Sequence, residues 1–164
     1  MNKTIAIRKA IEADQDQIWA IIQEAIAKGD TLAFAPDANK DEMLGFWCAP
    51  YAQTYVAEFK GNLLGTFFIK DNQPSLGAHV ANAGYITSSA AVGKGVGSAM
   101  CEFSLGEAKR LGYYAMQFNL VVKSNERAVK LWQRMGFDII GEIPDAFNHS
   151  STGLTNAYIM WRRL

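Results

Sequence analysis

The chain has 164 residues, of which 49% are hydrophobic, and its 16 basic residues balance its 16 acidic ones. This length and composition predict one soluble domain, residues 1–164, with a substantial core. The neutral balance gives no general attraction to nucleic acid or to an anionic membrane. Two cysteines, Cys48 and Cys101, are too few for a disulfide framework or a metal cluster, so no metal is expected. The chain shows neither a signal peptide nor an apolar run that could span a bilayer, which predicts a cytoplasmic protein.

The N-terminal third predicts a strand and two helices. Residues 4–9 alternate in polarity as a strand does. Asp14 and Gln17 have the spacing of a capping box, and an amphipathic helix follows until Gly29. Residues 37–47 predict a second, short helix.

The middle of the chain predicts three strands, at residues 55–59, 63–69 and 82–88. Lys60-Gly61-Asn62 is a hairpin signal between the first two. A helix is then expected over residues 98–111, followed by a strand over residues 114–122. Strand, helix and strand in this order predict a parallel pair with a crossover connection.

The last part predicts one helix and two strands. Ser124 is the expected cap of a helix with an apolar face, and strands are expected at residues 137–143 and 157–161. The whole pattern predicts a single α+β domain.

Between the third strand and the third helix lies a glycine-rich loop, Val92-Gly93-Lys94-Gly95-Val96-Gly97. Successive N–H groups in such a turn, with a helix N-terminus behind them, bind phosphate groups. The spacing excludes three common nucleotide motifs: Lys94 is followed by Gly95 instead of Ser or Thr, the last glycine is one residue early for a dinucleotide fingerprint, and the catalytic set of a kinase is absent.

This loop resembles the acyl-CoA loop of the GCN5-related N-acetyltransferase (GNAT) superfamily, whose pattern is Gln/Arg-x-x-Gly-x-Gly/Ala. A second motif, residues 125–132 followed by Gly136-Phe137, resembles the superfamily's Asn-x-x-Ala-x-x-Leu-Tyr and Gly-Phe. The resemblance implies a mixed, mostly antiparallel twisted sheet with a splayed parallel central strand pair and helices on both faces. It also implies acetyl-CoA as cosubstrate.

Three further stretches, residues 79–85, 117–121 and 157–161, resemble bacterial relatives of the fungal acetyltransferase that acts on azetidine-2-carboxylate and similar proline analogues. Phosphinothricin acetyltransferases are similar at a greater distance. This branch implies a small amine acceptor, an amino acid or a toxic analogue.

The resemblance implies that acetyl-CoA contacts the third strand, the loop and the two helices that follow. Backbone groups of the loop would hold the pyrophosphate, pantetheine would pair with the strand, and one N–H of that strand would face the thioester oxygen. Lys94 either adds charge or is simply solvated. The expected cofactor-binding residues are Ile86, Thr87, Ser88, Gly93, Lys94, Gly95, Val96, Gly97, Ser98, Asn125 and Trp132.

Two residues depart from the family pattern. Val92 stands where Gln or Arg is usual, and Trp132 replaces the tyrosine that many members use as the general acid. Indole is not a usable acid. Residues 83–88 also lack the glutamate that many members use as base, so a water chain, a neutral amine or a distant residue has to serve.

Asn119 is the first candidate for positioning the acceptor, because it is an amide in an otherwise apolar strand that needs partners if buried. The resemblance to the proline-analogue branch implies a catalytic role for the same residue, and an amide that bridges the splayed strands is the alternative. His79 and Tyr85 are further catalytic candidates, with structural roles as their alternatives. Thr31, Phe34, Trp47 and Asn82 are candidates for acceptor binding, with core packing as the alternative for the aromatic ones.

The function these residues predict is transfer of acetyl from acetyl-CoA to a small amine by direct attack in a ternary complex. One alternative is a protein or peptide acetyltransferase, and another is a CoA-binding sensor that has lost catalysis. Neither nucleic acid nor membrane is an expected partner. A homodimer is an option, since dimers are common in the superfamily.

Overall fold

The computed structural model describes residues 5–164, and in that part of the chain a seven-stranded mixed sheet is flanked by four α-helices. The strands are β1 Ala6–Lys9, β2 Gln53–Phe59, β3 Asn62–Asp71, β4 Val80–Thr87, β5 Ala115–Val122, β6 Asp138–His149 and β7 Gly153–Arg163. The helices are α1 Gln15–Ala27, α2 Lys40–Trp47, α3 Val96–Arg110 and α4 Glu126–Arg134, with short 3₁₀ turns at Glu12–Asp14, Ser75–Gly77 and Ser89–Ala91.

The strands lie in the order β1-β2-β3-β4-β5-β7-β6. Neighbouring strands are antiparallel except for β4 and β5, which are parallel and joined through α3. The β4–β5 register covers only the pairs Val80↔Ala115 and Ala81↔Met116. Beyond these pairs the two strands separate, so the expected α+β sheet with a splayed parallel central pair is confirmed.

Helices cover both faces of the sheet because side chains alternate along each strand. α3 packs on one face through buried Met100 and Ala108. α1 and α2 pack on the other through Ile18, Ile22 and Trp47. The splay between β4 and β5 therefore connects the two layers of helices through the sheet.

The helix starts differ from those the sequence predicts. Asp14 accepts bonds from Ile11 N–H (2.8 Å) and from Arg8, so it does not cap α1, and the expected capping box is wrong. Gln17 instead uses its side-chain oxygen to bind the N–H of Leu63 on β3 at 3.0 Å. Gln17 therefore binds a distant strand and Asp14 binds groups that precede it in the chain, so neither side chain caps α1.

The other helix caps also shift. α2 begins at Lys40 behind Asn39, whose side chain accepts from Glu42 N–H at 2.9 Å. α4 is capped by Asn125 and not by Ser124. Thr4, where the first expected strand begins, lies outside the described residues.

The β6–β7 hairpin is longer than the sequence indicates, because β6 is a largely exposed edge strand with two register shifts and so lacks a clear alternating pattern. Its tip reaches the end of α1, where Ser150 N–H donates to Gly29 O at 2.9 Å and Ser150 Oγ donates to Lys28 O at 2.7 Å. The hairpin thereby fixes the segment that follows α1 over the splay.

Across residues 5–164, every helix is too short or too polar to cross a lipid bilayer.

Candidate active site

A cavity of about 400 Å³ lies where β4 and β5 separate. Its walls come from β4, the glycine loop, β5, α4 and the segment after α1. The residues of β4 and β5 that line it are Ala83, Gly84, Tyr85, Ile86, Thr87, Phe118, Leu120, Val121 and Val122. The glycine loop and α3 contribute Val92, Gly93, Gly95, Val96, Gly97 and Ser98. α4 and its cap contribute Asn125, Leu131 and Trp132.

The backbone of β4 offers hydrogen-bonding groups to this cavity. Ser88 N–H donates to Leu64 O on β3 at 2.9 Å, and by the alternation of an antiparallel ladder Ile86 faces β3 as well. The main-chain groups of Tyr85 and Thr87 therefore face the opposite side, where the β4–β5 ladder has ended. Ser88 is absent from the cavity walls. The backbone contact with pantetheine that was expected over residues 86–88 is therefore geometrically possible at Tyr85 and Thr87.

The glycine loop places a helix N-terminus at the cavity. Gly95 has φ +77°, a conformation that side chains other than glycine rarely adopt, and it directly precedes α3. The first intrahelical bond runs from Ala99 N–H to Gly95 O at 3.0 Å. The N–H groups of Val96, Gly97 and Ser98 thus have no acceptor within the helix and carry its positive end. α3 starts two residues earlier than the sequence predicts, so the last glycine lies inside it.

Lys94, the charged residue of this loop, is exposed and lies outside the cavity walls. Its contact to a phosphate stays a prediction.

α4 contributes a polar cap and an indole. Asn125 Oδ1 accepts from Ala128 N–H at 3.3 Å, and Asn125 lines the cavity. Trp132 packs against Tyr85 (ring centroids 4.9 Å apart) and Phe118 (5.0 Å). Both expected cofactor residues therefore line the cavity, and the indole forms an apolar wall.

Tyr85 presents its ring to the cavity and its hydroxyl to the core. The hydroxyl lies 2.6 Å from Ser104 Oγ, which itself donates to Cys101 O at 2.7 Å, so Tyr85 is the donor of the pair. Burial raises the pKa of Tyr85 well above its ordinary value. This geometry favours a fixed wall, and a catalytic role for Tyr85 stays a prediction.

Asn119 is exposed and not buried, so the expectation of a buried amide in an apolar strand is wrong. A register shift between Phe118 and Val121 interrupts the regular alternation of β5. Asn119 Nδ2 donates to Asn72 Oδ1 at 2.8 Å and its oxygen accepts from Gln117 Nε2 at 2.9 Å. It does not line the cavity, because neighbouring Phe118 packs toward α4 and Asn119 lies on the opposite face, toward α1 and α2.

The alternative role considered for Asn119, an amide that bridges the splayed strands, is filled by Asn82. Asn82 Nδ2 donates to Gln117 O at 3.0 Å. Asn82 is half-buried on the same face of the sheet as Asn119. The two asparagines therefore belong to one row of amides at the point where the strands part.

The four acceptor candidates do not form one surface. Thr31 lines the cavity, whereas Trp47 is fully buried and donates from Nε1 to Thr66 Oγ1 at 3.0 Å. Phe34 packs edge-on against Phe46 with centroids 5.1 Å apart. The geometry supports core packing for Trp47, and its contact with an acceptor stays a prediction.

His79 is exposed and precedes β4, 6.2 Å from the Tyr114 ring. It lies outside the cavity walls, and its catalytic role stays a prediction.

Several charged residues line the cavity that the sequence did not predict as site residues. Glu24 lies on α1, Lys28 and Asp30 follow it, and Arg127 and Arg134 lie on α4. The i, i+4 spacing of Glu24 and Lys28 marks one polar face of α1, but only the fold shows that this face meets the glycine loop.

Glu24 accepts from Ser89 N–H at 3.3 Å, and this bonding from Ser89 holds the pKa of the Glu24 carboxyl below its usual range. The contact connects the end of α1 to the turn that begins the glycine loop.

The cavity thus combines unpaired strand groups, a helix N-terminus and an apolar wall. An elongated ligand that carries phosphate at one end and a hydrogen-bonding chain at the other matches this arrangement.

Comparison with known proteins agrees with this chemistry. The model of the acetyltransferase (GNAT) family matches residues 18–137. The N-acetyltransferase aca1 of Schizosaccharomyces pombe is 36% identical over 112 residues, which cover 68% of this chain and 54% of that protein. The chain thus matches about half the length of this curated relative.

Solved structures show the same fold. A GCN5-related N-acetyltransferase from Kribbella flavida is 37% identical with a TM-score of 0.95, and the match covers 100% of both chains. A phosphinothricin acetyltransferase from Sinorhizobium meliloti, solved in complex with acetyl-CoA, is 20% identical with a TM-score of 0.87 over 98% of this chain and 89% of that one. The match of the family model, together with the relatives above 30% identity, shows that the chain belongs to the acetyltransferase (GNAT) family of acyltransferases.

Proposed function

We propose that this protein transfers acetyl from acetyl-CoA to the amine of a small molecule, an amino acid or a toxic amino-acid analogue. The observation that carries the proposal is the cavity between the separated ends of β4 and β5, with the N-terminus of α3 at its wall.

The cosubstrate fits the residues present. The free N–H groups of Val96, Gly97 and Ser98 suit the pyrophosphate, and the β4 backbone at Tyr85 and Thr87 suits the amides of pantetheine. Arg127 and Arg134 supply positive charge at the cavity wall, where Val92 has replaced the usual polar residue. Acetyl-CoA is present in the related structure from Sinorhizobium meliloti, which supports this choice of ligand.

In the reaction, a neutral amine attacks the thioester carbonyl, the C–N bond forms, the C–S bond breaks, and CoA leaves as a thiolate. A backbone N–H of β4 facing the cavity stabilises the negative charge that develops on the carbonyl oxygen. The amine loses one proton and the thiolate gains one.

No carboxylate lies on β4, and the acids of the cavity wall are Glu24 and Asp30 from α1 and the segment after it. The hydrogen bonding from Ser89 lowers the pKa of Glu24, which makes this carboxylate a weak base. With no strong base on the strand, positioning of the amine supplies much of the rate.

Positioning falls to the face of the sheet opposite the α3 layer. Asn82 and Asn119 lie there at the point where the strands part, and Thr31 follows α1 on the cavity wall. We assign these three residues to the acceptor, with Asn119 as the main positioning group.

The test is an acetyl-transfer assay with acetyl-CoA and a panel of amino acids, amino-acid analogues, simple amines and short peptides, following release of the CoA thiol. Turnover with small amines and not with peptides supports the proposal. Turnover only with peptides would instead favour a protein acetyltransferase. Tight binding of acetyl-CoA without turnover on any amine would favour a CoA-binding sensor, which Val92 and Trp132 make a real alternative.

A further inference from the structure

One ammonium group on the acceptor face is held against aromatic rings. Lys70, on β3, places its Nζ 4.7 Å from the centroid of the Phe46 ring, 5.6 Å from that of Phe68 and 5.8 Å from that of Tyr51. The side chain is half-buried. Three rings around one ammonium restrict its motion and reduce its hydration, which strengthens its attraction to an anion.

No salt bridge neutralises this charge within residues 5–164. The carboxylate next to it in sequence, Asp71, points to the other face of the sheet, where it accepts from the Tyr113 hydroxyl at 2.7 Å. Lys70 therefore has a fixed position, and within the described residues no carboxylate forms a salt bridge with it.

Lys70 also belongs to the row of amides that contains Asn82 and Asn119. It lies directly opposite Asn82 in the β3–β4 register, and side chains in such a pair lie on the same face about 5 Å apart at Cβ. Asn82 in turn contacts Gln117 O, and Gln117 contacts Asn119. One polar row thus crosses β3, β4 and β5 at the level where the cavity begins, with the positive charge at one end.

We propose that Lys70 binds the carboxylate of the acceptor and makes the enzyme specific for amines that carry an acid group. This inference rests on the proposed function and adds the residue that selects the substrate. In this arrangement the amine of the acceptor lies toward the splay near Asn119, and its carboxylate lies toward β3. The half-buried ring of Phe46 then contacts the apolar part of the acceptor as well as the ammonium.

The test compares acids with their amides. Azetidine-2-carboxylate, proline and the other standard amino acids are each assayed beside the matching carboxamide. A carboxamide has a less basic amine and so presents more of the neutral nucleophile, which makes a preference for the acid a conservative measure. For the wild-type protein we expect kcat/KM to favour the acid by roughly 10-fold or more, as a charge-assisted hydrogen bond allows.

Lys70→Met keeps the apolar stem and removes the charge. We expect it to lower kcat/KM for the acid by roughly 10- to 100-fold through KM, and to leave kcat/KM for the amide and the Kd of acetyl-CoA within about twofold. Lys70→Arg should restore a large part of the loss. The matched control is Lys60→Met, because Lys60 also lies over a ring, 5.4 Å from Phe59, but at the far end of the β2–β3 hairpin.

The outcomes separate the two proposals. Transfer to acids and amides at equal kcat/KM, or equal losses on both in Lys70→Met, overturns the role of Lys70 and leaves the acetyltransferase. Transfer to neither acids, amides nor simple amines overturns the proposed function itself. A loss of acetyl-CoA affinity in Lys70→Met, with Lys60→Met unchanged, would place Lys70 on the cosubstrate side and also contradict the inference.

Discussion

Asn82 donates a hydrogen bond of 3.0 Å to the backbone oxygen of Gln117, one residue after the last pair of the β4–β5 register. A side chain thus occupies the place where the parallel ladder would continue, and the two strands diverge beyond it. The bond lies at the boundary between the paired part of β4 and β5 and the cavity that opens where they diverge.

Asn82→Ala should affect the acceptor more than the cosubstrate. The change leaves the Gln117 carbonyl without this donor, which costs about 1 kcal/mol of unfolding free energy, and it removes an amide from the acceptor face. We expect a higher acceptor KM with an unchanged Kd for acetyl-CoA. Asn148→Ala, on the exposed edge strand β6, is the control, measured by steady-state kinetics and calorimetric titration. Equal losses for both substrates would contradict the assignment.

Asn119→Ala should lower turnover by roughly 10-fold or more, since an oriented amine depends on it, while the Kd of acetyl-CoA stays within about twofold. Its side chain lies outside the cavity and bonds Asn72 and Gln117. Asn72→Ala removes one of these partners and should produce a smaller loss of kcat. A parallel loss of turnover and of acetyl-CoA affinity would contradict a role of Asn119 in positioning the acceptor.

Gly97→Leu should weaken acetyl-CoA binding by roughly 10-fold or more, because the added side chain overpacks the wall of the cavity. A Cβ at Gly97 would lie 3.4 Å from Leu131 Cδ2 and 3.8 Å from Thr87 Oγ1, so a larger side chain has to enter the cavity or displace α4. Gly106 lies on the same helix, and a Cβ added there would meet open space. Gly106→Leu should leave binding unchanged and stabilise the fold by about 0.5–1 kcal/mol. Unaltered affinity in Gly97→Leu would refute the cosubstrate site.

The cosubstrate side could be predicted from the sequence because its chemistry is local. The glycine loop and the residues from Asn125 to Trp132 are contiguous motifs, and the structure places most of them around one cavity. The order of strands and helices along the chain also followed from local patterns. Ser88 and Lys94 are the exceptions, since one is engaged with β3 and the other lies outside the cavity walls.

The acceptor side could not be predicted in the same way, because it is assembled from distant parts of the chain. Asn119 looked like a buried amide in an apolar strand, yet the register shift after Phe118 and the separation of β4 leave it exposed beside Asn72. Asn82 and Lys70 meet only through strand pairing. The loss of Asp14 as a helix cap has a more local cause, since the side chain of Arg8 and the N–H of Ile11 bind its carboxylate.

Tyr85→Phe should lower stability and leave catalysis nearly unchanged. The hydroxyl donates to Ser104 Oγ in the core, so its loss costs about 1 kcal/mol of unfolding free energy. The ring, which forms the cavity wall, is kept, and we expect turnover to change by less than about threefold. Tyr114→Phe, at an exposed ring, serves as the control in thermal unfolding and kinetics. If turnover instead fell by roughly two orders of magnitude, Tyr85 would be identified as a general acid.

Glu107 joins α3 to β2 through a contact that depends on pH. Glu107 accepts from Arg110 at 2.8 and 2.7 Å and from the Tyr55 hydroxyl at 2.7 Å, and these bonds lower the pKa of Glu107 from 4.5 to about 2. A lowered carboxyl pKa in the folded state means that the stabilisation is complete above about pH 4.5 and is lost as the pH falls toward 2. Glu107→Gln removes the titrating group and keeps Tyr55 and Arg110, so its cost in unfolding free energy should be larger at pH 7 than at pH 3.5, where the unfolded carboxyl is mostly protonated. Chemical denaturation of the variant and the wild-type protein at both pH values measures the difference. Tyr55→Phe removes one donor and should cost about 1 kcal/mol at both pH values, because the folded carboxyl is still ionised at pH 3.5. An equal cost of Glu107→Gln at pH 7 and pH 3.5 would contradict a lowered pKa of Glu107.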